Sequence, residues 1–210
     1  MMAFTSNQVV ERTGKIEGFW KWFRAREPEL RSIKGQNDPL WDLALEQLHA
    51  VDGRLWIEMS QPGDAVREFI VTAQGKVEAF DIAEALVAAA PGLPKWRMIP
   101  LKPAMGFDFK TDYEGLVLDS REMWFLPLES SSQPASLGLR IGIDGLATER
   151  NSDALNAVLM MLDTGLGERI AAADIQHVEV TSLPSNPESL GYIELPELAE
   201  YLAWRKRKKG

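Results

Sequence analysis

Leu55-Trp56-Ile57-Glu58-Met59-Ser60-Gln61-Pro62-Gly63-Asp64-Ala65-Val66-Arg67-Glu68-Phe69-Ile70-Val71-Thr72 is the stretch whose reading decides the fold. Leu55, Ile57 and Met59 alternate with Trp56 and Glu58, a period of two that puts successive side chains on opposite faces of a strand. Gln61 to Asp64 is turn-forming, and Glu68 to Thr72 is rich in β-branched and aromatic residues, so the pair predicts a β-hairpin. Downstream, Glu78 to Ala90 returns to a helical period with Phe80, Ala83, Leu86, Val87 and Ala90 on one face. Pro91-Gly92 stops that helix, and Trp96 to Leu101 reads as another strand. The order is ββαβ.

Upstream of the hairpin the period is helical throughout. Ile16, Phe19, Trp20 and Phe23 form one stripe, with Thr13 as the expected N-cap and Pro28 expected to kink or end the helix near Glu27. Asp38-Pro39 supplies an N-cap followed by proline at the first helical position, opening a second helix from Pro39 to Val51. Beyond Lys102, short β-type pieces at Phe107–Phe109, Leu116–Leu118 and Met123–Leu126 predict a meander. Glu129 to Ser136 reads as a polar surface loop. A strand at Leu137–Ile143, a helix at Asp153–Leu162, a strand around Ile175–Val180 and a helix from Pro196 to Lys206 follow. The expected class is α+β, one domain over residues 1–210. Its mixed or mainly antiparallel sheet has about seven to nine strands, with helices chiefly on one face. Residues 122–180 repeat the ββαβ order of residues 54–101, which suggests two fused units as a pseudo-repeat.

The composition excludes several function classes. The chain of 210 residues has no cysteine, so disulfides, thiolate nucleophiles and cysteine-ligated zinc or iron–sulfur sites are ruled out. No stretch of about 18 apolar residues is present, and the start has no basic segment leading into an apolar one, so a cytoplasmic location is expected and no membrane partner. Net charge is −8, although Arg205 to Lys209 are all basic; without those five the remainder carries −13. So acidic a body repels phosphate and makes nucleic acid an unfavoured partner, and the basic tail at 205–210 reads as a solvated helix end.

Catalytic patterns are not found. No serine lies in a Gly-x-Ser-x-Gly turn, and Gly165-Leu166-Gly167 follows a helix instead of opening one, which suits Gly165 to a helix C-cap and not to a phosphate loop. His177 and Glu179 would share a strand face, two ligands where a metal needs more, so neither metal nor cofactor is expected. The carboxylates Asp108, Asp112, Glu114, Asp119 and Glu122 read as a solvated rim. What stands out is aromatic: of seven tryptophans, Trp22, Trp41 and Trp56 sit beside the apolar face of their element, where a partner protein or small ligand would find them. The candidate binding residues are Trp22, Trp56, Lys102, Met105, Phe107, Glu168 and His177. The leading expectation is a non-enzymatic binding or protein-interaction domain, with a homodimer open as well. The rival is a small-molecule enzyme using carboxylates or His177 in a cleft between sheet and helices.

Phe19-Trp20-Lys21-Trp22-Phe23, Arg67-Glu68-Phe69-Ile70-Val71-Thr72-Ala73 with Glu78-Ala79-Phe80, and Ala90-Pro91-Gly92-Leu93-Pro94-Lys95-Trp96 together resemble a group of uncharacterised single-domain bacterial proteins. The likeness extends to Lys102-Pro103-Ala104-Met105-Gly106-Phe107 and Leu166-Gly167-Glu168. It implies a bacterial cytoplasmic α+β protein and carries no catalytic residue.

Overall fold

The computed structural model describes residues 6–129 and 136–209. Most of the loop expected at Glu129–Ser136 lies outside the described residues. The protein is α+β, 47% helical and 23% strand, and its contacts gather into two compact units, Met1–Lys102 and Pro103–Gly210.

Unit 1 begins with α1 (Ser6–Ala25), α2 (Glu27–Leu30) and α3 (Pro39–Val51). Thr13 lies inside α1, not at its cap, because no proline interrupts the chain between Ser6 and Ala25. The stripe Ile16, Phe19, Trp20 and Phe23 is buried as its spacing requires. Phe23 meets both Phe69 and Trp96 edge-on at 5.1 Å, and the Trp20 indole N–H donates to Leu86 O at 2.8 Å, so the aromatic stripe is both packed and satisfied. Asp38 caps α3 by accepting from Leu40 N at 3.0 Å. Trp41, expected on the flank of α3, is buried. The hairpin β1 (Trp56–Met59) and β2 (Arg67–Thr72), α4 (Phe80–Ala88) and β3 (Trp96–Pro100) complete the unit. β2 is central, antiparallel to β1 and parallel to β3.

Unit 2 holds β4 (Lys110–Tyr113), β5 (Leu116–Asp119), β6 (Trp124–Glu129), β7 (Leu137–Ile143), α5 (Asn151–Leu166), α6 (Glu168–Asp174), β8 (His177–Ser182), β9 (Ile193–Glu194) and α7 (Leu198–Lys209). Its core joins Phe125, Leu139 and Ile141 of the sheet to Ala157, Val158, Met161 and Leu162 of α5, with Leu198 and Leu202 of α7. Phe107–Phe109 is not a strand: Phe107 is a core residue, and the Phe109 backbone is held by the Ser120 hydroxyl instead. Gly165 is not a helix end either. It is buried in the last turn of α5, where a Cβ would come within 2.3 Å of the Phe107 ring, and Gly167, at φ +78°, stands at the C-cap. The basic run is no free tail, since α7 continues through Lys209.

Among the described residues the strands do not merge into one sheet. They form a three-stranded sheet (β1-β2-β3), the β4-β5 hairpin and a four-stranded sheet (β8-β7-β6-β9). β3 ends at Pro100, which is paired with Val71, and Leu101 N still donates to Val71 O at 2.9 Å.

In each of the two larger sheets a central strand, β2 or β7, runs antiparallel to the strand before it and parallel to the strand that follows the intervening helix or helices. Phe69 stands between Met59 and Met98, and Val71 between Ile57 and Pro100. Correspondingly, Leu139 stands between Pro127 and Val178, and Ile141 between Phe125 and Val180. The same clamp precedes each first strand. Arg54 donates from its backbone N and Nε to Asp52 Oδ1 (2.9 and 2.8 Å) and from Nη2 to Oδ2 (2.5 Å). Arg121 does the same to Asp119, at 3.1, 2.9 and 2.7 Å.

Candidate functional site

Strand alternation sorts the candidates in unit 1. Ile57 points into the core, so Trp56 and Glu58 project from the other face of β1, beside Glu68 and Ile70 of β2 and Arg97 and Ile99 of β3. The Trp56 side chain is exposed and its ring meets the His49 ring edge-on at 5.5 Å. His49 is itself fixed, because its Nε2–H donates to Leu55 O at 3.0 Å; a carbonyl can only accept, which sets the tautomer. Glu58 pairs with Lys102 at 3.3 Å, and Arg97 pairs with Glu68 across the strands. Two of the sequence candidates, Trp56 and Lys102, therefore meet on one surface through Glu58, a residue that sequence reasoning did not single out. The surface combines an exposed indole in edge contact with the His49 ring and two charge pairs.

The other candidates do not join it. Trp22 is half-buried on α1, its ring 6.3 Å from Phe19. Met105 is 75% exposed on a loop pinned by Met105 N to Thr164 O (3.0 Å) and Gly106 N to Gly165 O (3.1 Å). Phe107 and Glu168 are buried, Phe107 because its ring fills the space above Gly165. His177 is exposed and lies 3.6 Å from the Glu179 carboxylate, which in turn accepts from Arg140 Nε. That bond to Arg140 is the main reason the Glu179 carboxyl is held below its usual range.

His177, Glu179 and Arg140 alternate with Val178, Val180, Leu139 and Ile141, and it is the latter set that packs with α5. The histidine thus projects from the sheet face opposite the helix, not into a cleft between them. Asp119, in the acidic run, is buried against Arg121 and Lys110, and the Arg121 hydrogen bonds hold its carboxyl far below the usual range. Asp112 accepts from Gly115 N in the β4-β5 turn, while Asp108 is solvated. The run is therefore structural at two positions and solvated at a third. Among the described residues no three His, Asp or Glu side chains stand close enough to hold a metal ion, and no helix is long and apolar enough to cross a membrane.

No known protein family, curated protein or solved structure matches the chain. The site has to be read from its own chemistry. Charge gives one further guide. Unit 1 has 14 acidic and 13 basic residues, against 17 and 10 in unit 2, which together make the 31 and 23 of the whole chain. Five of the ten bases of unit 2 are Arg205 to Lys209 on α7, two of them already spent. Arg205 pairs with Glu129 at 3.1 Å and donates to Ser136 O at 2.8 Å, and Lys206 pairs with Asp174 at 2.6 Å.

Proposed function

We propose that this chain is a non-enzymatic binding module of the bacterial cytoplasm, and that it meets a partner protein through the outer face of the β1-β2-β3 sheet. The observation that carries this reading is the exposed Trp56, in edge contact with the His49 ring, beside the Glu58–Lys102 pair on the same face. A rigid indole buries a large area on binding at small entropic cost, which is why tryptophan dominates the energetics of many interfaces. The flanking ion pairs supply a polar rim and set the register of an approaching surface.

The test is cross-linking and affinity capture from the native cells with wild type and Trp56→Ala, together with thermal unfolding of both. The expected result is a defined partner bound by wild type and weakened at least tenfold in Trp56→Ala, about 1.4 kcal/mol or more, with unfolding little changed. Equal recovery of the same proteins by both chains would show that this face is not the binding surface.

A further inference from the structure

One flank of α7 carries an ordered stripe. Leu198, Leu202 and Arg205 are turned to the unit 2 body, and Tyr201 sets one edge of its ring against the buried Phe125 at 5.5 Å; beside them run Glu197 (in the turn just before α7) and Glu200, then Tyr201's outer edge and Trp204, then Arg207 and Lys208. These positions fall at i, i+3, i+4, i+7, i+10 and i+11, so they lie along one side over roughly 16 Å at ~1.5 Å per residue. Trp204 is 46% exposed and tilts against the half-buried Tyr201 at 5.7 Å. A groove of about 510 Å³ runs beside them, lined by Ile193, Glu197, Glu200, Tyr201, Trp204 and Arg207. The Lys208 ammonium lies 4.9 Å over the Trp204 ring, so that ring already attracts a cation.

Along the helix the stripe reads acid, aromatic, base. A sequence of that kind is complementary to itself when one copy is turned end for end. In an antiparallel pair centred between Tyr201 and Trp204, the carboxylates of each helix lie against Arg207 and Lys208 of the other, and the four aromatic rings meet in the middle. A two-fold axis requires this reciprocity, since residue i must contact j while j contacts i. The parallel alternative sets acid against acid and base against base, and aligns the helix dipoles unfavourably.

We propose that the chain forms a symmetric homodimer by antiparallel packing of α7 on α7 of a second copy. This surface is built by residues of unit 2 and the Trp56 face by residues of unit 1, so either proposal stands without the other. A single helix pair is at the small end of specific interfaces, and the dimer should populate in the micromolar range. Arg207 and Lys208 are then dimer contacts, in place of a solvated end or a phosphate-binding tail.

The experiment is sedimentation equilibrium of the full chain and of two variants, Glu197→Lys/Glu200→Lys and Arg207→Glu/Lys208→Glu. Wild type should rise with concentration from 23.5 kDa toward twice that mass, and raising the salt should lower the dimer fraction. Each variant alone sets like charge against like and should remain monomeric at least tenfold higher in concentration. An equimolar mixture of the two should dimerise again, because each then presents the charges the other lacks. All four substituted positions are exposed, and recovery in the mixture shows that both variants are folded. Wild type that stays at 23.5 kDa through the high-micromolar range overturns the proposal and leaves the stripe to a different partner. So does a wild-type dimer that both variants retain, which would place the two-fold interface elsewhere.

Discussion

At the scale of single residues, the most consequential side chain is one whose role is invisible in the sequence. Arg67 is 2% exposed, and its hydrogen bonds among the described residues all go to backbone carbonyls. Its guanidinium donates to Leu30 O at 2.9 Å, Ile33 O at 2.8 Å and Ser60 O at 3.0 Å, and lies 5.8 Å from the centre of the Trp96 ring. Burial, with Arg31 nearby, lowers its pKa from the usual value, but a guanidinium stays charged in proteins. What makes the burial tolerable is that three carbonyls, one at the end of α2, one in the loop after it and one just past β1, all accept from it, and its five donors fit such a fork. Arg67→Ala would leave those carbonyls buried and unpaired, and should cost about 3–5 kcal/mol of stability in urea unfolding. Arg67→Lys should recover only part, since one ammonium cannot span acceptors placed for a planar group. A loss below about 1 kcal/mol for Arg67→Ala would mean that the three carbonyls find water instead.

At the scale of elements, glycines in the same helical setting should respond in opposite directions. Gly14 and Gly18 lie in the exposed interior of α1 with nothing near an added Cβ. Alanine there restricts the unfolded chain and favours the helix, so each substitution should stabilise by roughly 0.5–1 kcal/mol. In α5, a Cβ on Gly165 would meet three atoms of the Phe107 ring within 2.6 Å, so Gly165→Ala should destabilise by about 1–3 kcal/mol. Thermal unfolding of the three variants checks both signs; a neutral Gly165→Ala would mean that the Phe107 ring shifts freely. The same contrast shows what the sequence made legible. Period and caps are local, so the stripe of α1, the Asp38-Pro39 start of α3 and the alternation of β1 could be read directly. The role of Gly165 could not, because it depends on a ring 58 positions earlier in the chain. Sheet membership failed for the same reason, since short strands state their period but not their neighbour. Of the candidate site, Trp56 and Lys102 were legible as an exposed-edge aromatic and a loop cation; Glu58 and His49 entered only through their distances to them.

At the scale of the whole molecule, the decisive feature is that the contacts gather into two units between which the charge divides unequally. Buried apolar residues run from Ile16 to Leu101 in unit 1, and the core of unit 2 runs from Phe107 to Leu202 without drawing on a residue before it. About 100 residues is an ordinary size for an independent domain, so fragments 1–102 and 103–210 should each show a cooperative unfolding transition. Their responses to salt should differ. Unit 1 is nearly neutral at −1, whereas unit 2 is at −7, and without Arg205 to Lys209 it would carry −12. Net charge of one sign opposes compaction, and salt screens that repulsion within a Debye length. Salt also weakens the Lys206–Asp174 pair, but such a partly exposed pair is worth little, and the Arg205–Glu129 pair, whose arginine is largely buried, is screened less, so relief of repulsion should dominate. Raising the salt should therefore lift the midpoint of fragment 103–210 more than that of 1–102, and more steeply again after truncation at Trp204. Equal salt responses of the two fragments would mean that the acidic excess of unit 2 is already neutralised by pairs within its own surface.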